Sequence, residues 1–215
     1  IYPGDRIPDM FQDDSEIISH IFDYSKTNTP KKFIEIKKLL LDTILPTKGK
    51  AIIWTIFIYN SKELHEYLYK HEITSKMLIG EIEQSRREEI IAKFNNPDNK
   101  DFEVIIANPY AVSESISLHM GCHNAIYLER DYNCSNYLQS KDRIHRYGLP
   151  SNQITNYYYM ISKKSIDSVI NDKLVMKVKR MEKIIDEDIP LFFRINDSDE
   201  SDLIKALMNE YDRRA

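Results

Sequence analysis

The chain has 215 residues, 42% of them hydrophobic and 30% charged, with a formal net charge of -4. That balance belongs to a folded globular protein with room for one well-filled domain and an appendage, and it excludes a disordered chain. No apolar run approaches the roughly 18 residues of a bilayer span, and the negative charge excludes a uniformly basic surface, though not a local basic groove.

The first residues, Ile1-Tyr2-Pro3-Gly4-Asp5, have neither a charged start nor an apolar core, so no export signal is expected. The absence of an initiating Met suggests a piece of a longer chain. Two scattered cysteines, Cys122 and Cys134, suit a reducing cytoplasm and no disulfide framework.

Residues 1–29 read as an N-terminal extension, with a short helix opened by Asp13, Asp14 and Glu16. Thr29-Pro30 offers an N-cap and a proline at the first helical position. The helix that follows carries Phe33, Ile36, Leu39, Leu40 and Ile44 at helical spacing and stops before Pro46. The run Ala51 to Ile58 reads as a buried parallel strand. Asn60 with Glu63 resembles a capping box for the next helix. A short strand at 75–80, a helix opened by Ser85 and Glu88 with Ile90, Ile91 and Phe94 inward, and a turn over Asn95 to Asn99 come next. Three further strands are predicted, from Phe102 to Ala107, Ala125 to Leu128 and Ile154 to Ile161, with helices at about 134–146 and 165–185. Beyond Pro190 an acidic, polar run from Asn196 to Asp202 leads to a short helical tail around Leu203, Ala206, Leu207 and Tyr211.

Strands alternating with helices at this spacing imply βαβ units, and hence an α/β fold with a mainly parallel sheet covered on both faces. Within that fold the most informative segment is Gln139 to Gly148. On one continuous helix Gln139, Arg143 and Arg146 fall at i, i+4 and i+7 and share a face. Two guanidinium groups beside an amide suit a polyphosphate, because arginine offers planar, multidentate donors and keeps its charge at neutral pH. A solvated basic helix face has the same spacing. Position adds weight, since the helix follows a strand and so begins near the carboxyl edge of the sheet, where open α/β folds bind ligands.

The string Q-x-x-x-R-x-x-R-x-G over 139–148 resembles the sixth helicase motif of the Swi/Snf-type branch of helicase superfamily II. Ala107 to Leu118 resembles the fifth motif, Asn124 to Asn133 the strand and turn joining the two, and Lys50 to Ile58 the fourth. Ile79-Gly80 and Ser85 to Asn95 fit the strand end and helix between them. The resemblance runs in order over roughly residues 30–185 and implies a second, RecA-like motor lobe over 30–186, followed by a linker and tail over 187–215.

That resemblance implies an ATP-dependent DNA translocase in which Arg146 is the arginine finger, Arg143 its companion toward the terminal phosphate, and Gln139 and Glu114 nucleotide-site residues. Glu114 reads first as an exposed structural residue, with nucleotide coupling as the alternative. ATP and Mg2+ would be held mainly by a first RecA-like lobe of the same chain, because no G-x-x-x-x-G-K-[ST] loop and no Asp-Glu pair after a strand is present here. The lobe alone is expected to be a monomer that does not hydrolyse ATP. Nucleic-acid contacts are implied at Thr55, Asn60, Gly80, Arg86, Arg87, Ser113, Ser115 and Ser117, largely independent of base sequence, and the branch favours double-stranded DNA. The sequence departs from the family at Val112, Ser113 and Ser115, where glycines are usual. The rival reading is a non-catalytic lobe that kept the fold and binds nucleic acid or a protein.

His119-Met120-Gly121-Cys122-His123 has two imidazoles and a thiol, but zinc takes four ligands and no second cluster accompanies it, so no metal site is expected. Tyr157-Tyr158-Tyr159, in a strand, would face alternate sides of the sheet as packing groups.

Overall fold

Four-residue apolar stretches make the centre of the sheet. Ala51–Trp54 (β1) and Val104–Ala107 (β3) are buried at every position. In a strand successive side chains point to opposite faces, so such runs need cover on both sides. The computed structural model, which describes residues 27–111, 116–146, 149–150 and 152–186, provides it. Ser75–Leu78 (β2), Asn124–Tyr127 (β4) and Asn156–Tyr159 (β5) complete a five-stranded sheet in the order β2-β3-β1-β4-β5. Every pairing is parallel, with Ile52 opposite Ile105 on one side and Ala125 on the other. This is the expected α/β architecture.

Alternation along β1 splits the interior into two cores. Ile52 and Trp54 pack with Ile105, Ala107, Ala125 and Tyr127 under the helix Gln84–Asn95 (α3), which contributes Ile90 and Phe94. Ala51 and Ile53 pack with Val104, Ile106 and Ile126 under the helices Lys31–Leu39 (α1) and Ile58–Tyr69 (α2). Leu118, Cys122 and Ile144 seal the first core where the chain crosses from β3 to β4. Cys134–Asp142 (α4) and Ile166–Asp186 (α5) finish the described fold.

Several predicted boundaries shift, each for a local reason. Thr29 does not cap α1; Pro30 occupies the cap position, and its carbonyl accepts from Phe33 N at 2.9 Å. That helix continues past Leu39 through a π-turn at Leu40–Ile44 and a 3-10 turn at Leu45–Thr47, which carries Pro46 near its start, where a missing N–H costs nothing. The strand predicted to reach Ile58 ends at Trp54, and α2 begins at Ile58, because a carboxylate from another loop takes the amides of Ile56 and Phe57. Asn60 therefore lies inside α2 and makes no capping box. The helix predicted to run to 146 stops at Asp142, since Ile144 turns into the core and is fully buried. Residues 1–26 of the expected N-terminal extension, and the helical tail, lie outside the described residues. Among those described, no helix is long and apolar enough to cross a membrane.

Candidate functional site

The end of α4 brings the two motif arginines together by a route the helical spacing does not give. Asn133 caps α4 by accepting from Asn136 N at 3.1 Å. At the far end Ile144 N and His145 N both donate to Lys141 O, at 3.3 and 3.2 Å, closing a tight turn. Burial of Ile144 pins that turn, and Arg143 O accepts from Leu118 N at 2.8 Å. Arg143 is 7% exposed and donates from Nη1 to Ile116 O at 3.3 Å. Arg146, beyond the helix, donates from Nη2 to the same oxygen at 3.2 Å and from Nε to Asp142 O at 3.2 Å. The shared helix face is thus corrected: Arg146 comes from the turn, and the pair converges through the Ile116 carbonyl. Gln139 is exposed on α4 and lines a small cleft with Trp54, Pro109, Asn136, Ser140 and Arg143. Trp54 and Pro109 mark this as the carboxyl edge of β1 and β3.

Two guanidinium groups held on a neutral carbonyl fit a phosphoryl ligand. Bonds of 3.2–3.3 Å are longer than the usual 2.9–3.0 Å, and among the described residues Arg146 pairs with no carboxylate. A guanidinium bond to an anionic phosphate oxygen is stronger than one to a neutral carbonyl. Among the described residues no group of three or more His, Cys, Asp or Glu side chains converges.

The positions expected to meet nucleic acid fall into distinct environments. Thr55 is fully buried and hydrogen-bonded to Ser61, so its hydroxyl is not available to a phosphate in this conformation. The Asn60 amide donates to Glu129. Arg87 is half-buried and committed to three carbonyls, those of Ile82 at 2.7 Å, Ala111 at 2.8 Å and Gly80 at 3.2 Å. It ties the loop after β2 to the loop after β3. Gly80 and Arg86 are exposed, Arg86 pairing with Glu89 one turn on. Ser117 shares a 2.6 Å hydrogen bond with His119 Nδ1, while its carbonyl accepts from Asn95. Ser113, Glu114 and Ser115 lie outside the described residues.

Two organising residues are missed by sequence reasoning. Asn108, 6% exposed at the end of β3, donates to Ile56 O at 2.7 Å, and its side-chain oxygen accepts from Tyr110 N at 2.9 Å. Glu129, just beyond β4, accepts from Ile56 N at 3.1 Å, Phe57 N at 3.2 Å and Asn60. Burial pushes its carboxyl above the ordinary range, against the opposing pull of those donors. The available signal was a polar residue directly after a buried apolar strand. Next to it, Arg130 sits 4.5 Å from the Tyr159 ring centroid and donates to Asn171 at 2.8 Å, fixing α5 to the edge strand.

In the His119 to His123 segment the thiol of Cys122 is buried. Burial raises the Cys122 thiol to about 12; it donates to the carbonyls of Lys50 and Asn124 at 3.3 and 3.2 Å. The tyrosines of β5 alternate as expected, Tyr157 and Tyr159 on one core and Tyr158 on the other.

Residues 31–148 match the family model "Helicase conserved C-terminal domain". The chain is 29% identical over 99 residues, 46% of its length, to TATA-binding protein-associated factor mot1 of Schizosaccharomyces pombe. It is 25% identical over 126 residues, 58% of its length, to the human TATA-binding protein-associated factor 172. Those matches span 5% and 6% of the relatives' own lengths. Among solved structures, the C-terminal part of the Fun30 ATPase domain superposes with a TM-score of 0.60 at 26% identity, covering 66% of this chain and 44% of that one.

Proposed function

The chain belongs to the helicase conserved C-terminal domain family as a RecA-like second lobe of the Swi/Snf type, and on that premise we propose that it completes the ATP site of a DNA translocase. The observation that carries this is the convergence of Arg143 and Arg146 on the Ile116 carbonyl. When bound, ATP supplies a γ-phosphoryl group whose transfer spreads charge over its oxygens. Arg146 would move its guanidinium from Ile116 to those oxygens as the finger, with Arg143 steadying it and Gln139 at the rim of the cleft. Glu114, within the fifth motif, would act in nucleotide coupling. Mg2+ and most of the nucleotide would be held by the first lobe.

The track would run over the carboxyl-edge loops, with Arg86, the Gly80 backbone and the 113–117 segment toward phosphates. Thr55, Asn60 and Arg87 would serve it from inside by shaping those loops. Closure and reopening of the cleft between lobes would advance the pair along double-stranded DNA, by ordinary hinge logic. Val112, Ser113 and Ser115 in place of the usual glycines favour a second reading, a scaffold lobe without turnover. ATP hydrolysis by the full-length protein, measured with and without double-stranded DNA, tests the choice. DNA-stimulated turnover supports the motor; none, in a folded protein that binds DNA, supports the scaffold.

A further inference from the structure

The Ile56 backbone is held from both sides. Its N–H donates to the Glu129 carboxylate at 3.1 Å, and its carbonyl accepts from Asn108 Nδ2 at 2.7 Å. β1 lies between β3 and β4 in the sheet, so the two grips reach the central loop from its two neighbours. Asn108 continues to Tyr110 N, the Tyr110 hydroxyl donates to Asp131, and Asp131 lies two residues from Glu129. These hydrogen bonds, closed by the backbone from Glu129 to Asp131, run as a circuit over the carboxyl ends of the three central strands.

Glu129 also does what α2 cannot do for itself. The first amides of a helix lack internal partners, and Phe57, at the cap position, supplies no side-chain acceptor. One Glu129 oxygen takes the amides of Ile56 and Phe57, and the other takes the Asn60 amide. An acceptor for the amide at the cap position therefore comes from 72 residues away, and the Thr55–Phe57 loop has the shape that Glu129 gives it.

We propose that Glu129 and Asn108 are positioning residues that set the β1–α2 loop as one wall of the nucleic-acid track. This rests on the proposed function, since it requires that loop to face DNA. Neither residue need touch the strand.

In the full-length protein Glu129→Ala should raise the DNA concentration for half-maximal ATPase stimulation on the order of tenfold, as expected for a lost charge-assisted bond. The rate at saturating DNA should change much less. Glu129→Gln should stay near the parent, because its carbonyl accepts from both amides while Asn60 turns its amide to meet the new NH2. Gly121→Ala, at the opposite end of the sheet, is the control for instability alone and should leave the DNA concentration unchanged. Amide hydrogen exchange read at Ile56 and Phe57 gives a test that needs no DNA: faster in Glu129→Ala, near parental in Glu129→Gln. A Glu129→Ala protein with parental exchange at both amides, or with parental DNA dependence, overturns the proposal. So does a Glu129→Gln protein as impaired as the alanine variant. A parent not stimulated by DNA refutes the translocase reading and this wall together, whereas a stimulated parent with an indifferent Glu129→Ala variant refutes the wall alone.

Discussion

Arg143 and Arg146 donate to one oxygen, the carbonyl of Ile116, from 3.3 and 3.2 Å. Two like charges this close repel each other, and the chain that carries them is held by the buried turn at Ile144 and by the Leu118 to Arg143 backbone bond. Arg146 Nη1 has no partner among the described residues. An arrangement of this kind is stabilised by an anion more than by water.

Arg87 and Arg86 are adjacent, but they should respond differently. Arg87→Ala strips donors from three carbonyls and should destabilise the lobe by about 2 kcal/mol. Arg87→Lys should recover little, since an ammonium cannot span the same three acceptors. Arg86→Ala removes an exposed pair and should leave the melting temperature where it is. Thermal melts of the three variants decide this, and equal losses at both arginines would contradict it.

Gly121 is required by a close approach. A Cβ there would clash with Phe94 O and lie 2.9 Å from Asn95 Cα, both backbone atoms at the end of α3. Gly121→Ala must push that helix away and should cost about 1–3 kcal/mol. A denaturant titration showing no loss would mean the crossover from β3 to β4 packs otherwise.

Asp167 gives a pH signature. Burial pushes its carboxyl up, but the Lys32 ammonium at 2.8 Å and the Ser162 amide outweigh burial and hold it below the ordinary 3.8. Its stabilisation is therefore full well above 3.8 and is lost as pH falls through the lower folded value. Asp167→Asn should destabilise by about 1 kcal/mol at pH 7, and the gap to the parent should close as pH falls below 3.8. Unfolding at several pH values measures it; a gap that widens in acid would reverse the assignment.

The isolated lobe should turn over no ATP and should bind DNA weakly, with affinity falling as salt rises because phosphate contacts dominate. Robust hydrolysis by this chain alone, or salt-resistant binding to one sequence, would contradict the half-site reading.

Much of the fold was legible because its signals are local. The apolar runs at β1 and β3 announce strands buried on both faces, and Ile90 with Phe94 announces the inner face of α3. Boundaries were less legible where distant groups set them. Nothing near Ile56 shows that Glu129 will end β1 and start α2, and Ile144 looks like one more helical residue until the core claims it. The arginine pair was visible, but its means of meeting was not. Thr55 and Arg87 have the chemistry of surface contacts, and only the packing shows one buried and the other bonded to three carbonyls.

The central claim is that Arg146 acts on the transferring phosphoryl group. Steady-state ATPase of the full-length Arg146→Ala protein at saturating DNA, with a thermal melt of the same sample, measures it most directly. Turnover should fall on the order of a hundredfold or more, with nucleotide and DNA binding much less affected and the melt near parental. Arg146→Lys should not restore the rate, and Arg143→Ala should fall similarly. An Arg146→Ala protein that melts like the parent and hydrolyses ATP at the parental rate would contradict the account.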